Sequence, residues 1–153
     1  MRVLLFSLLS FVIFSAQKCE NPNQLTEESY ITIRKTPCFG KCPTYEFTIN
    51  GVGEATFKGE MNVKKKGNYT KTFTEKQTLA LFNAYKEADF YSFEDEYLQP
   101  DLMDLPYTYL TLNHMGKKKT ITLYYQYPDA LNNLAKLTES FALSEDWTAK
   151  DNM

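Results

Sequence analysis

Hydrophobic and polar residues alternate with a period of two in several short segments of the chain. This is the pattern of half-buried β-strands, in which successive side chains point to opposite faces of a sheet. In the first segment, for example, Ile31 and Ile33 share one face while Thr32 and Arg34 share the other. The predicted strands are residues 30–34, 45–50, 54–58, 69–73, 107–113 and 119–125.

Turn residues separate these segments. Residues 50–53 read Asn-Gly-Val-Gly, a hairpin signal between the second and third predicted strands. Residues 114–117 form a second predicted turn, between the last two strands. Residues 59–68 contain three consecutive lysines and predict an exposed loop or a ragged strand edge.

Two segments have the period of an α-helix. Thr74 and Gln77 have the spacing of a capping box, which predicts a helix start. Pro128 predicts the start of the second helix, because proline is favourable in a first turn. Trp147 is expected to close the core just after that helix. The buried stripes are predicted to be Leu79, Phe82, Tyr85 and Ala88 in the first helix, and Leu131, Leu134, Ala135, Thr138, Phe141 and Ala142 in the second.

The order of elements predicts an α+β fold. Four strands, a helix, two strands and a helix (ββββαββα) indicate a mainly antiparallel sheet of about six strands with two helices packed on one face. A single domain is expected over residues 29–147, preceded by a polar tether over 17–28 and followed by a C-terminal tail over 148–153. Residues 91–106 are predicted to be an irregular loop, and loops of this length are more often functional than short ones.

The most distinctive segment, residues 36–45, joins the first two strands and reads Thr-Pro-Cys-Phe-Gly-Lys-Cys-Pro-Thr-Tyr. Extended residues would hold its cysteines about 13 Å apart, whereas a disulfide needs Cα atoms within about 4.4–6.8 Å. The segment therefore predicts a turn, which Gly40 permits, closed by a structural disulfide between Cys38 and Cys42. Three alternatives are a redox-active pair, a zinc site, and a catalytic thiol partnered by His114, the only histidine.

The N-terminus predicts export. Arg2 precedes an apolar run of about a dozen residues, and small residues lead to a predicted cleavage after Ala16. Residues 1–16 are thus assigned as a signal peptide, so no transmembrane helix is expected after cleavage, and the mature protein is expected to be periplasmic or secreted. Gln17 and Lys18 do not match a lipobox, which disfavours lipid anchoring through Cys19.

Charge disfavours a nucleic-acid partner. Removal of residues 1–16 removes Arg2 and no acidic residue, which leaves 16 basic and 19 acidic residues and a net charge near −3. No phosphate-binding loop, nucleotide fingerprint or metal motif is found in the sequence, so no cofactor and no metal is expected.

Residues 31–45, followed by Phe47-Thr48-Ile49-Asn50-Gly51 and Gly53, resemble an exported bacterial family known as domain of unknown function 6438. The resemblance continues more weakly to Trp147 and covers roughly residues 29–147. The family implies no activity or catalytic residue for this chain. It implies only fold class and location.

Two groups of residues are candidate binding sites. Tyrosines concentrate on the last two predicted strands, where some rings must lie on the outer face of the sheet, although ordinary cross-strand packing would also explain them. Acidic residues of the 91–106 loop could bind Ca²⁺, but the alternating pattern of a calcium loop is absent. The candidate residues are Tyr107, Tyr109, Tyr124, Tyr125, Tyr127, Asp101 and Asp104.

The two lysine runs, 64–66 and 117–119, could meet an anionic surface or simply protect exposed strand edges. Two functions are compatible with all these features. The first is a non-catalytic binding or envelope-associated module with a protein or envelope partner. The alternative is a thiol-active or hydrolytic enzyme centred on Cys38 and Cys42.

Overall fold

A computed structural model describes residues 24–99 and 104–150 of the chain. The predicted signal peptide, Cys19 and Asp101 lie outside these residues. The elements are β1 (Tyr30–Lys35), β2 (Thr44–Asn50), β3 (Glu54–Met61), β4 (Gly67–Thr72), α1 (Glu75–Glu87), a 3₁₀ helix (Phe90–Ser92), β5 (Glu96–Tyr97), β6 (Thr108–His114), β7 (Lys117–Leu123), α2 (Asp129–Ala142) and β8 (Thr148–Ala149).

The strands form one sheet in the order β5-β7-β6-β1-β2-β3-β4-β8. All pairs are antiparallel except β5 with β7. The α+β class and the mainly antiparallel sheet are therefore confirmed. The first strand along the chain, β1, lies near the centre of the sheet between β2 and β6.

The predicted number of about six strands was wrong, because the sheet has eight. The two missed strands, β5 and β8, have only two residues each, which is too short for any alternation to be visible in the sequence. They lie at the two edges of the sheet. Short edge strands of this kind limit pairing with other chains.

The loop predicted over residues 91–106 is partly regular, because it contains β5 and the end of the 3₁₀ helix. Lys119 fixes it to the sheet. Its ammonium group donates to the carbonyl oxygens of Tyr91 and Phe93 and lies 2.9 Å from Asp95 Oδ1. Lys119 therefore does not fit the hypothesis that the lysine run 117–119 meets an anionic surface, because its side chain is only 15% exposed.

The core lies between one face of the sheet and the two helices. Its strand residues include Ile31, Ile33, Phe47, Leu110 and Ile121, each at most 1% exposed. The alternation in the sequence predicted the inward positions of Ile31, Ile33 and Phe47 correctly. Trp147 also packs on the core, with its ring centroid 6.0 Å from that of Phe47, as expected.

Helix α1 begins with the predicted capping box, in which Thr74 and Gln77 bond reciprocally. The predicted buried position of Leu79 was wrong, because its side chain is 39% exposed. The buried stripe is Thr78, Leu81, Phe82 and Tyr85. Thr78 can be buried because its hydroxyl donates to the carbonyl oxygen of Thr74. The helix therefore buries the polar Thr78 and exposes the apolar Leu79.

Helix α2 has the predicted stripe, with Leu131, Leu134, Ala135, Thr138 and Ala142 buried and Phe141 half-buried. The two helices meet through a buried hydrogen bond between the Tyr85 and Thr138 hydroxyl groups, 2.8 Å apart. Burial raises the pKa of Tyr85 well above its ordinary value.

Candidate functional site

The helices cover only one face of the sheet, and the outward positions of the strands form a second face, the outer face. In the described part of the chain, no helix packs on it. Alternation places Thr32 and Arg34 of β1, Glu46 and Thr48 of β2, and Thr56 of β3 there. The outer face therefore presents ordered strand side chains that are available to a ligand.

The strand register brings seven threonines into one row across the outer face. Neighbouring members of this threonine row are register partners on adjacent strands. From β7 to β8 the row consists of Thr120, Thr111, Thr32, Thr48, Thr56, Thr70 and Thr148. With strands about 4.8 Å apart, the row is about 29 Å long.

Sequence reasoning missed the threonine row. Six of the seven threonines could be assigned to outward positions from the alternation alone, but Thr148 could not, because β8 has only two residues. Their alignment depends on the register between strands that are up to about 80 residues apart in the chain, such as β1 and β6. Register is a property of the folded sheet.

Two pairs within the row are hydrogen-bonded. The hydroxyl oxygens of Thr32 and Thr48 are 2.9 Å apart, and those of Thr111 and Thr120 are 2.8 Å apart. A threonine hydroxyl has one donor and two acceptor sites. Each bonded pair therefore keeps one donor and three acceptor sites for a ligand.

Two open depressions lie along the row. The smaller, about 260 Å³, is lined by Thr32, Thr111 and Thr120 together with Arg34, Glu46 and Tyr109. The larger, about 560 Å³, includes Thr48, Thr56, Thr70 and Thr148 in its lining. Together the depressions account for all seven members of the threonine row, so the row is the floor of a shallow groove.

Charged side chains border this floor with alternating sign. Arg34 is the register partner of Glu46, and Glu46 is the register partner of Lys58. Lys58 also pairs with Glu60 at 3.3 Å on the surface. Opposite charges on neighbouring strands largely cancel at a distance, so the groove has no dominant sign.

Three of the predicted tyrosines come together beside the groove. Tyr107 stacks on Tyr124 with ring centroids 4.5 Å apart, and on Tyr109 with centroids 6.2 Å apart. We call these three residues the tyrosine stack. Tyr109 lines the smaller depression, so the stack continues into the groove.

The other candidate residues that the structure describes, Tyr125, Tyr127 and Asp104, do not join this cluster. Tyr127 is half-buried against the core, whereas Tyr125 is 39% exposed after the end of β7. Asp104 is exposed with a positive φ of 73°. Among residues 24–99 and 104–150, no three His, Cys, Asp or Glu side chains are grouped closely enough to hold a metal ion.

The segment over residues 36–43, the stapled corner, joins β1 to β2 and contains the disulfide between Cys38 and Cys42, with Cα atoms 5.7 Å apart. Phe39 at its tip is 91% exposed. The Asn62 side-chain amide donates to the carbonyl oxygen of Cys42 at 3.1 Å. The corner is thus tied both within itself and to the β3–β4 connection.

A polar clamp holds the base of the stapled corner on α2. Lys35 Nζ lies 2.7 Å from Glu139 Oε1, and the Tyr45 hydroxyl donates to the same oxygen at 3.1 Å. Burial, followed by the adjacent negative charge of Glu139, raises the pKa of Tyr45 well above its ordinary value. The Tyr45 hydroxyl is therefore a neutral donor at physiological pH.

The structure does not bring together the residues of a thiol–histidine site. His114 ends β6, whereas the stapled corner follows Lys35, the register partner of Thr108 at the opposite end of β6. Six residues of strand separate the two ends by about 20 Å. His114 Nδ1 instead lies 3.1 Å from the hydroxyl of Ser29, which is 4% exposed.

The lysine runs also have structural partners. Lys65 donates to the carbonyl oxygen of Ser144 just beyond α2, where a cation complements the helix dipole. Lys117 lies over the Tyr91 ring, 4.3 Å from its centroid. No helix in the described ranges has the length and apolar character needed to cross a membrane.

Comparisons with known proteins place the chain in a family without indicating an activity. No curated protein sequence matches it. A family profile described as "Domain of unknown function (DUF6438)" matches residues 29–142, which is most of the chain and includes the stapled corner and all members of the threonine row except Thr148. The chain therefore belongs to this family, the domain of unknown function DUF6438.

Proposed function

We propose that the protein is an exported, non-catalytic binding module that holds its ligand against the outer face of its sheet. The observation that carries this proposal is the threonine row, because it joins two depressions into one groove on a face that the described helices leave open. The tyrosine stack adds large rings at one end of the groove. Tyrosine gives contact area at low entropic cost, as binding surfaces favour.

Export is the part of the proposal that rests on the N-terminal sequence. A positive start, a short apolar run and small residues before residue 17 are typical of a cleaved signal peptide. The Cys38–Cys42 disulfide supports it, because such bonds persist in oxidising compartments. Intact-mass measurement of the mature protein, with and without reductant, would test cleavage after Ala16, the disulfide and the absence of lipid on Cys19.

Site-specific photo-crosslinking tests the binding surface. Benzoyl-phenylalanine would be placed at Thr56 in the larger depression, at Tyr109 in the smaller one, and at Asn83, an exposed position of α1 on the other side of the molecule. In cells that export the protein, we expect adducts of the same partner from positions 56 and 109 and none from position 83. Adducts that form from position 83 alone would show that the helices, and not the outer face, carry the binding surface.

A further inference from the structure

The threonine row also indicates the chemical class of the ligand. Resting on the binding function proposed above, we infer that the groove binds a neutral glycan chain that runs across the strands. The inference depends on four properties of the groove: its hydroxyl floor, its balanced border, its direction relative to the strands, and its twist.

The floor is suited to a polyhydroxyl ligand. Threonine presents both a hydroxyl group and a methyl group, so each member of the row can hydrogen-bond a sugar hydroxyl and contact a sugar C–H group. The Thr32–Thr48 bond of 2.9 Å fixes the central pair before the ligand arrives. Preorganised groups lose little entropy on binding, which favours affinity.

The border of the groove argues for an uncharged ligand. Arg34, Glu46 and Lys58 are register partners on adjacent strands, so the sign of charge alternates along the groove. A polyanion would gain from the two cations and lose from the carboxylate between them. A neutral chain instead can use all three as hydrogen-bond partners without a like-charge penalty.

The direction of the groove disfavours a peptide. Each inner strand of the sheet is paired with a neighbour on both sides, so its backbone groups are engaged in the sheet. A peptide across the strands would carry backbone polar groups about every 3.3 Å, whereas the floor offers hydroxyls only about every 4.8 Å. Many peptide groups would therefore stay with water, and the floor would give a peptide little specific hydrogen bonding.

The twist of the sheet disfavours a flat crystalline surface. Adjacent strands rotate by roughly 20–25° relative to each other, so the row turns as it crosses seven strands. A flexible chain of about six pyranose units, one for each step between strands about 4.8 Å apart, can follow this path. Tyr109 of β6, which lines the smaller depression, provides an aromatic face for a sugar ring.

Isothermal titration calorimetry with defined hexasaccharides tests the inference. The probes are the β-1,4-linked hexasaccharides of glucose, xylose and mannose and the β-1,3-linked hexasaccharide of glucose, with oligogalacturonate as an anionic comparison. We expect saturable binding of at least one neutral probe that changes little between low and high salt. Binding of oligogalacturonate alone, weakened by salt, would overturn the inference in favour of an anionic ligand.

Matched variants locate the binding. The double variant Thr56→Val/Thr70→Val removes two row hydroxyls but keeps β-branched side chains, so the sheet should fold normally. We expect it to weaken binding about tenfold. Thr122→Val, on the outer face of β7 but outside the row, should bind like the wild type. Equal affinity of all three proteins would show that the probe binds elsewhere.

The two proposals fail in different ways. If no hexasaccharide binds while positions 56 and 109 crosslink to a protein in cells, the glycan inference is wrong and the binding function stands. If hexasaccharides do not bind and these positions give no adduct, both are wrong. Thermal unfolding of every variant would confirm that lost binding is not lost folding.

Discussion

The polar clamp on Glu139 provides a quantitative test of how the stapled corner is held. We predict that Glu139→Ala lowers the free energy of unfolding by about 2–3 kcal/mol, because it removes the shared acceptor of the Lys35 ammonium and the Tyr45 hydroxyl. The Lys35 and Glu139 side chains are only 22% and 25% exposed, so solvent screens this pair incompletely.

The matched control is Glu60→Ala, which breaks the exposed ion pair with Lys58. Those side chains are 42% and 61% exposed, so we expect a loss below about 0.5 kcal/mol. Urea unfolding of the oxidised protein would measure both values. Glu139→Gln should lie between them, since the amide oxygen can still accept from Tyr45 while the charge is lost.

Equal effects of the Glu139 and Glu60 substitutions would refute the reasoning. They would mean that the clamp behaves as an ordinary surface pair and does not fix the corner on α2. A double-mutant cycle with Lys35→Met would then separate the ion pair from the Tyr45 hydrogen bond.

Three further predictions concern stability. Leu81→Ala should lower the free energy of unfolding in urea by about 2–5 kcal/mol because Leu81 is fully buried, whereas Leu79→Ala should lower it by less than about 1 kcal/mol. Equal losses would contradict the buried stripe of α1. The pKa values of Tyr45 and Tyr85 are raised in the folded state, so the stability that these tyrosines contribute is complete below about pH 10 and is lost at higher pH. The free energy of unfolding should fall by about 1.4 kcal/mol per pH unit for each tyrosine above about pH 10, and less steeply in Tyr45→Phe and Tyr85→Phe. Gly53→Ala should destabilise the protein in thermal unfolding, because φ is +90° and an added Cβ would lie 2.5 Å from the Phe73 carbonyl oxygen; an unchanged melting temperature would contradict this.

The sequence was sufficient for those parts of the fold that depend on local pattern. Inward positions such as Ile31 and Ile33 follow from alternation, and the start of α1 at Thr74 follows from its capping box. The sequence was insufficient where the packing of the elements determines which side chains are buried. Leu79 was predicted to be buried but is exposed, whereas Thr78 is buried with its hydroxyl donating to the carbonyl oxygen of Thr74.

The same distinction applies to the candidate site. The abundance of tyrosine on the last two long strands was visible in the sequence. Which of these tyrosines would join the stack was not visible, because β7 ends at Leu123, and Tyr124 then stacks on Tyr107 whereas Tyr127 packs on the core. The threonine row was invisible because it is created by the register of seven strands. Its members are scattered from residue 32 to residue 148.

Methyl NMR of threonine tests the central claim, that the outer face binds the ligand, most directly. In protein labelled at the threonine methyl groups, the row residues report on the groove, and Thr74, Thr78 and Thr138 on the helical side serve as internal controls. On titration with the hexasaccharides, we predict concentration-dependent shifts of Thr48, Thr56 and Thr70 with the helical threonines unchanged. Shifts confined to the helical threonines would contradict the account.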